Sequence, residues 1–254
     1  TPPDLTVLID YPGVNVPLSR DLKQLNSGPV IYYIAPQEWA WSFGKRTTRQ
    51  IVDNTDHILS IFPQEAEYYQ SHGATVTWVG HPFIDALSES PSRDAARQIL
   101  GIPPSQKAIA LIPASRQQEL RYIWPVLATA AQHIQTHCPE THFWIPVALE
   151  TFRTTFQDTI EHLGLNATLT DQSQLTLAAA DLALGKSGTA NLEAALLNVP
   201  QVVTYCIHPV NGWLYRNLLR FKVPYISPVN LVQKACIVPE LLQEQATPET
   251  ISRL

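Results

Sequence analysis

A short glycine-containing stretch has the composition of a phosphate-binding turn. Gly185, Ser187, Gly188 and Thr189 lie between an apolar run and a run with helical character. The first N–H groups of such a helix have no intrahelical acceptor and lie at the positive end of its dipole, which suits a diphosphate. The G-x-x-x-x-G-K spacing of a Walker loop is absent. A plain glycine turn with Thr189 as helix cap is the alternative interpretation.

Arg116 is a second candidate ligand for an anion. It follows the apolar run at residues 108–113 and precedes a long helical run that starts near Gln118. A guanidinium can pair with a phosphate through two hydrogen bonds and stays charged at any working pH. A surface arginine beside Ser115 as a helix cap is the alternative.

Asp10 and His81 each follow an apolar run directly and are candidates for acid–base chemistry. Asp10 opens the turn Asp10-Tyr11-Pro12-Gly13, where a carboxylate could be a general base or could cap the turn. His81, between Gly80 and Pro82, could be a base, a phosphate contact or a packed core histidine.

These residues are positioned by alternating apolar and helical runs. Short apolar runs typical of buried parallel strands occur at residues 7–10, 30–34, 58–62, 76–80, 108–113, 143–147, 182–184 and 202–205. Helical runs between them occur at residues 64–72, 118–137, 150–162 and 189–198. The alternation predicts an α/β, doubly wound fold, in which ligands bind outside the carboxyl ends of the strands. All four candidate groups lie at such ends.

Composition excludes several classes of protein. The net charge is −5, from 17 Lys+Arg and 22 Asp+Glu, which argues against nucleic acid as the main partner. With 45% hydrophobic residues the chain is not disordered. The three cysteines form no C-x-x-C pair, and the chain has no D-x-D pair for a metal on a diphosphate, so we expect a reducing cytosol and no metal site. No apolar run is long enough to span a membrane.

The chain organisation predicts two domains. A polar stretch with a proline at residues 87–92 looks like a linker, which gives domains at 1–88 and 89–254. The first of these domains has about four predicted strands, whereas a doubly wound domain usually has about six. Since the chain also has no Met and begins with Thr1, we expect it to be a piece of a longer protein.

Two aromatic-rich stretches stand apart from the candidate site, at residues 36–41 and 212–222. The second is apolar with three cations, as in an interfacial membrane helix, although a core helix with snorkelling cations is the more common explanation.

Taken together, the motifs resemble the lipid-A-disaccharide synthase family. The matching stretches are IDYPGVN at 9–15, APQEWAW at 35–41, GHP at 80–82, IPASR at 112–116, SGTANLE at 187–193, VPYISPVN at 223–230 and VPELL at 238–242. They occur in family order over nearly the whole chain. The resemblance implies two facing Rossmann-like domains of GT-B type, the first incomplete: an acceptor-side part at 1–88 and a nucleotide-sugar-binding domain at 89–254. The chain departs from the usual family pattern at Gly13, Ala114 and residues 234–236.

The resemblance also implies a reaction and its partners. A 2,3-diacylglucosamine would pass from UDP to 2,3-diacylglucosamine 1-phosphate, giving a β-1,6 disaccharide with inversion, no metal and no cofactor, because the UDP-sugar is a substrate. The membrane surface would be a further partner, with a peripheral location at the cytoplasmic face of the inner membrane and a homodimer as an added expectation.

The resemblance assigns roles to single residues as well. Asp10 would be the base, Arg116 and the helix start at Ser187, Gly188 and Thr189 would meet the diphosphate, and Glu193 would hold the ribose. Asn230 would line the nucleotide cleft. Three alternatives stay open: another glycolipid transferase, a UDP-sugar epimerase, and a member that binds nucleotide or lipid without turnover.

Overall fold

The chain divides into two compact units, Thr1–Asp85 and Ala86–Leu254. They are seen in a computed structural model that describes residues 3–40, 45–206 and 225–254. The predicted linker at 87–92 has no helix or strand and lies just after this division.

The first unit holds a four-stranded parallel sheet in the order β1-β2-β3-β4. Its strands are β1 (Thr6–Ile9), β2 (Val30–Tyr33), β3 (His57–Ser60) and β4 (Val76–Trp78). The helices are α1 (Pro12–Gln24), α2 (Lys45–Asn54) and α3 (Pro63–Ser71), with α4 (Phe83–Ala86) at the division. The core between sheet and helices includes Leu8, Val30, Ile51 and Ile58, each under 5% exposed.

The second unit holds a six-stranded parallel sheet in the order β10-β9-β8-β5-β6-β7. Its strands are β5 (Lys107–Ile112), β6 (Thr141–Pro146), β7 (Ala167–Thr170), β8 (Leu182–Lys186), β9 (Gln201–Tyr205) and β10 (Glu240–Leu242). The helices are α5 (Arg93–Leu100), α6 (Gln117–His137), α7 (Arg153–Leu163), α8 (Ser173–Ala179), α9 (Thr189–Leu196), α10 (Pro228–Gln233) and α11 (Pro248–Arg253), with 3-10 turns at Glu150–Phe152 and Gln243–Gln245.

Helix α6 anchors the core of the second unit. It buries a stripe that includes Leu120, Ile123, Leu127 and Ala131, at the i, i+3, i+4 spacing of one helix face. Trp124 on the same face packs on Phe156 of α7 with ring centroids 4.6 Å apart. The first residues of α6 are thereby held at the carboxyl end of β5, where the candidate Arg116 lies.

The predicted α/β fold with parallel sheets is confirmed, and each predicted strand and helix is present within a few residues. Two strands were not predicted, β7 and β10. β7 has the sequence Ala-Thr-Leu-Thr and β10 has only three residues that begin with a glutamate, so neither forms an apolar run.

Candidate functional site

A cavity of about 430 Å³ lies at the carboxyl end of the second sheet. The chain leaves β5 toward β6 and β7 on one side and returns as β8 on the other, so the strand order reverses between β5 and β8. Such a reversal leaves a crevice above the strand ends, which is where open α/β sheets bind ligands. The lining residues come from the segments that follow β5, β6, β7 and β8, and include Arg116, Glu119, Asp171, Lys186, Ser187, Gly188, Thr189 and Glu193.

The loop between β8 and α9 is fixed by its own hydrogen bonds. The N–H of Ser187 donates to the carbonyl of Thr204 at 2.9 Å, and its buried hydroxyl donates to the carbonyl of Ile226 at 2.9 Å. The N–H of Gly188 donates to Oδ1 of Asn191 at 2.7 Å. The donors of Ser187 and Gly188 are therefore already used within the protein.

Helix α9 begins at Thr189, with Gly188 and not Thr189 as its N-cap residue. The N–H groups of Thr189 and Ala190, in the first turn, have no carbonyl of the helix to bind, and both residues line the cavity. The start of α9 therefore offers backbone donors and the positive end of a helix dipole to an anion in the cavity.

Among the described residues that line this cavity, Arg116 is the cation without an ion-pair partner. It is the residue before α6 and is exposed. Within the three described ranges no carboxylate lies within ion-pair distance of its guanidinium. The two donor sides of a guanidinium are thus available for a bidentate contact with a phosphate.

Lys186 and Glu119 form an ion pair on the same wall, and sequence reasoning did not single out either residue. Nζ of Lys186 lies 2.9 Å from Oε1 of Glu119 and 5.7 Å from the centroid of the Tyr205 ring. Both side chains are about one-fifth exposed. Lys186 could have been found from its place at a strand end inside the Gly-Lys-Ser-Gly stretch, whereas no local pattern marks Glu119.

Glu193 lies on α9, one turn after the loop, and lines the cavity. The side chain is half-buried, and this burial raises the pKa of the carboxyl above its usual range. Since its carboxylate has no hydrogen-bond donor among the described parts of the chain, it can accept a bond from a ligand hydroxyl.

Gly185 and Asn230 are not among the residues that line the cavity. A Cβ on Gly185 would meet both the Cβ and the carbonyl oxygen of Ile112 at 2.9 Å, so the glycine lets β8 approach β5. The amide of Asn230 is fully buried. It donates to the Val238 carbonyl and to Oε1 of Glu240, and its oxygen accepts from the N–H groups of residues 237 and 238. With this amide fully used, we assign Asn230 to the support of the loop and not to direct ligand contact.

Asp10 lies in the first unit, at the carboxyl end of β1, and is exposed. Its backbone has φ +46° and that of Tyr11 has φ +43°, two left-handed residues in a row without a glycine. The carbonyl of Asp10 accepts bonds from Tyr32 Oη at 2.9 Å and Asn15 Nδ2 at 2.7 Å. Strained backbone held by its surroundings is common where a side chain must be aimed.

His81 follows β4, at the other edge of the same sheet from Asp10. Three strand spacings separate β1 from β4, about 14 Å at ~4.8 Å each, so the two side chains are not neighbours. The ring of His81 packs against Phe62 and Phe83, Nδ1 accepts from the N–H of Phe83 at 3.1 Å, and burial lowers the pKa. These contacts favour the packed-histidine interpretation.

Two predictions fall partly or wholly outside the described residues. Trp41, the last residue of the first aromatic stretch, and the whole second stretch at 212–222 belong to the gaps in the description. Where helices are described, none is long and apolar enough to cross a membrane. Over the same residues, no group of three or more His, Cys, Asp or Glu side chains is arranged to hold a metal ion.

Comparison with known proteins gives matches along the whole chain. A family model described as lipid-A-disaccharide synthetase matches residues 1–253. Lipid-A-disaccharide synthase of Gloeothece citriformis is 53% identical over 252 residues, covering 98% of this chain and 66% of the relative. The protein of the same name from Prochlorococcus marinus is 48% identical over 257 residues, with the same coverages of 98% and 66%. The chain thus spans about 66% of the length of these relatives.

Solved structures share the fold at low sequence identity. A UDP complex of MnaA from S. aureus has a TM-score of 0.62 at 15% identity, covering 98% of this chain and 70% of that chain. A UDP-GlcNAc 2-epimerase from Neisseria meningitidis, bound to UDP-GlcNAc, has a TM-score of 0.59 at 15% identity, covering 99% and 66%. WaaG, a glycosyltransferase of lipopolysaccharide biosynthesis, has a TM-score of 0.52 at 14% identity, covering 93% and 70%. These neighbours confirm the predicted fold class.

Proposed function

The chain belongs to the lipid-A-disaccharide synthase family, and on this premise we propose that the protein transfers 2,3-diacylglucosamine from UDP to 2,3-diacylglucosamine 1-phosphate. The observation that carries the proposal is the cavity at the reversal point of the second sheet. There the free Arg116 guanidinium, the start of α9 and the unpaired Glu193 carboxylate line one space of about 430 Å³.

The donor occupies this cavity through its nucleotide. The guanidinium of Arg116 and the N–H groups of Thr189 and Ala190 bind the diphosphate, and Glu193 accepts bonds from the ribose hydroxyls. The positive groups bind more tightly as the diphosphate gains charge, so they stabilise the transition state more than the bound donor. This cluster supplies positive charge for the leaving group without a metal, and we expect transfer in the presence of a chelator.

The acceptor reacts by a single displacement. Its 6-hydroxyl oxygen attacks the anomeric carbon of the donor from the face opposite the diphosphate. The new C–O bond forms while the bond to the diphosphate oxygen breaks, so the configuration inverts and UDP leaves with the electron pair. The hydroxyl proton passes to the carboxylate of Asp10, which is exposed and, among the described residues, has no cation at ion-pair distance.

The acyl chains of both substrates set where the reaction takes place. They hold the sugars in a lipid surface, and we propose a peripheral location at the cytoplasmic face of the inner membrane. A homodimer is a further expectation, which rests on the resemblance alone.

A transfer assay on the complete protein tests the proposal. It uses UDP-2,3-diacylglucosamine and 2,3-diacylglucosamine 1-phosphate in detergent micelles with EDTA, and follows UDP release together with the mass of the disaccharide. We expect product with the wild type and with Arg20→Ala, whose exposed arginine pairs with Asp21 on α1, and loss of product with Arg116→Ala.

Other outcomes would replace the proposal. Conversion of UDP-N-acetylglucosamine without a lipid acceptor would identify a UDP-sugar epimerase, and transfer to another lipid acceptor would identify a different glycolipid transferase. Binding of UDP with none of these products would identify a non-catalytic member.

A further inference from the structure

Most of the charged side chains on the cavity wall are already paired within the protein. Of the three carboxylates that line it, Asp171 is paired with Arg153 at 2.5 Å and Glu119 with Lys186 at 2.9 Å. The free charges that remain among the described lining residues are one cation, Arg116, and one anion, Glu193. A nucleoside diphosphate brings at least two negative charges, so Arg116 alone does not neutralise it.

Lys186 is the cation placed to supply the difference. It is the last residue of β8 and directly precedes Ser187 of the loop that leads into α9. Glu119 is the one hydrogen-bond acceptor that Nζ has among the described residues, and an ammonium carries three donors. Two donors are therefore left on a group that lines the same cavity as Arg116.

A role in stabilising the fold does not by itself account for this ion pair. A partly buried pair must repay the cost of removing both charges from water, and pairs of this kind are weak contributors to stability. Here the carboxylate is also incompletely used, because Oε2 of Glu119 is buried without a hydrogen-bond partner in the described part of the chain. The arrangement leaves a carboxylate and an ammonium ready for a change of partner.

We propose that Lys186 is a second diphosphate-binding cation and that Glu119 is a positioning residue that holds it while the cavity is empty. This inference rests on the proposed function. The incoming diphosphate competes with Glu119 for the ammonium, and after transfer Glu119 competes with the bound UDP. Glu119 thereby keeps Lys186 in place and limits how tightly the product is held.

This arrangement predicts opposite effects for the two halves of the pair. Lys186→Met removes a charge-assisted contact to phosphate and should weaken UDP binding about 10- to 100-fold, with little effect on uridine. Glu119→Gln removes the competitor and should tighten UDP binding by about threefold or more, with a lower kcat where product release limits turnover. A pair with a purely structural role would lose affinity in both variants.

The measurement is calorimetric titration of UDP and uridine into the complete protein and its variants. Lys186→Arg, which keeps the charge, should retain most of the UDP affinity and also guards against a folding defect in Lys186→Met. Lys107→Met is the control for loss of a lysine charge, since Lys107 forms an exposed pair with Glu140 at the opposite end of β5, away from the cavity.

The outcomes separate this inference from the proposed function. A wild type that binds no UDP contradicts the proposed function. A wild type that binds UDP, together with a folded Lys186→Met of unchanged UDP affinity, overturns the assignment of Lys186 alone. Weaker UDP binding in both Lys186→Met and Glu119→Gln overturns the role of Glu119 as a competitor.

Discussion

The hydroxyl of Tyr32 donates a 2.9 Å hydrogen bond to the backbone carbonyl of Asp10. Tyr32 is fully buried in β2, whereas Asp10 is exposed at the end of the neighbouring strand β1. A rigid core residue therefore holds the left-handed backbone that carries the proposed base. Burial, and secondarily the Asp10 carboxylate, raise the pKa of Tyr32, so the phenol remains a donor throughout the neutral range.

Asp10→Asn tests the base directly. Asparagine tolerates the left-handed conformation as aspartate does, so the backbone should be unchanged while the proton acceptor is lost. We expect kcat to fall about 10²- to 10⁴-fold, the range of general-base catalysis, with UDP affinity unchanged. The measurement combines the transfer assay with UDP titration, and turnover at the wild-type rate would remove Asp10 as the base.

Tyr32→Phe tests whether the strained backbone must be held. Asp10 keeps one bond to its carbonyl, from Asn15, and loses the other. We expect kcat to fall severalfold without a change in UDP affinity, because the cavity of the second unit is untouched. Tyr33→Phe, at the next position of β2, is the control; equal losses of kcat in the two variants would mean that the Tyr32 bond does not aim the base.

Gly185 and Gly188 should respond in opposite ways to a methyl group. Gly185→Ala places a Cβ 2.9 Å from two atoms of Ile112 between central strands, which should lower the free energy of unfolding by about 1–3 kcal/mol. Gly188→Ala meets no atom within 4 Å and should leave the stability unchanged. The effect of Gly188→Ala should appear in UDP binding. If the diphosphate lies against the backbone of the loop between β8 and α9, the added methyl group should weaken that binding.

Thermal unfolding and UDP titration of both alanine variants separate the two roles. A stable Gly185→Ala would contradict the packing role assigned to that glycine. Unchanged UDP affinity in Gly188→Ala would place the diphosphate away from the loop backbone.

The parts of the site that the sequence predicted are those with local patterns. Arg116 and the helix start at Thr189 each stand at a strand–turn–helix junction, which can be read from a few neighbouring residues. Glu119 could not be found in this way, because the lysine that it pairs with lies 67 residues further along the chain.

Asn230 is expected from the resemblance to line the nucleotide cleft, and in the structure its side-chain amide makes hydrogen bonds within the protein. Its side-chain amide makes hydrogen bonds to residues 237, 238 and 240. Ile226, four residues earlier, accepts a hydrogen bond from Ser187 in the loop between β8 and α9. A polar residue near a binding motif can contact the ligand or can hold the neighbouring backbone in place. Only the hydrogen bonds seen in the structure distinguish these two roles. The same holds for His81: Phe83 is two residues away in the sequence, but its other aromatic neighbour, Phe62, precedes it by 19 residues.

Glu65 gives a prediction about stability that is independent of the reaction. It is the third residue of α3 and fully buried, and Oε2 accepts a hydrogen bond from the N–H of Ile61 at 3.1 Å. Burial raises the pKa of this carboxyl to about 7, although the bond from Ile61 opposes the shift. Its ordinary value is 4.5, and the difference corresponds to about 3 kcal/mol at full effect.

The sign of the pH dependence follows from where the proton is bound. Below about pH 4.5 the carboxyl is protonated in both states, so its contribution to stability is fully present. As the pH rises through 7 the folded state has to bury a charge, and the contribution is lost. Glu65→Gln should therefore gain up to about 3 kcal/mol relative to the wild type between pH 5 and pH 8, measured by urea denaturation. Glu67→Gln, at an exposed position on the same helix, should show no such change. If the difference in the free energy of unfolding between Glu65→Gln and the wild type did not vary with pH, Glu65 would not be a buried carboxyl with a raised pKa.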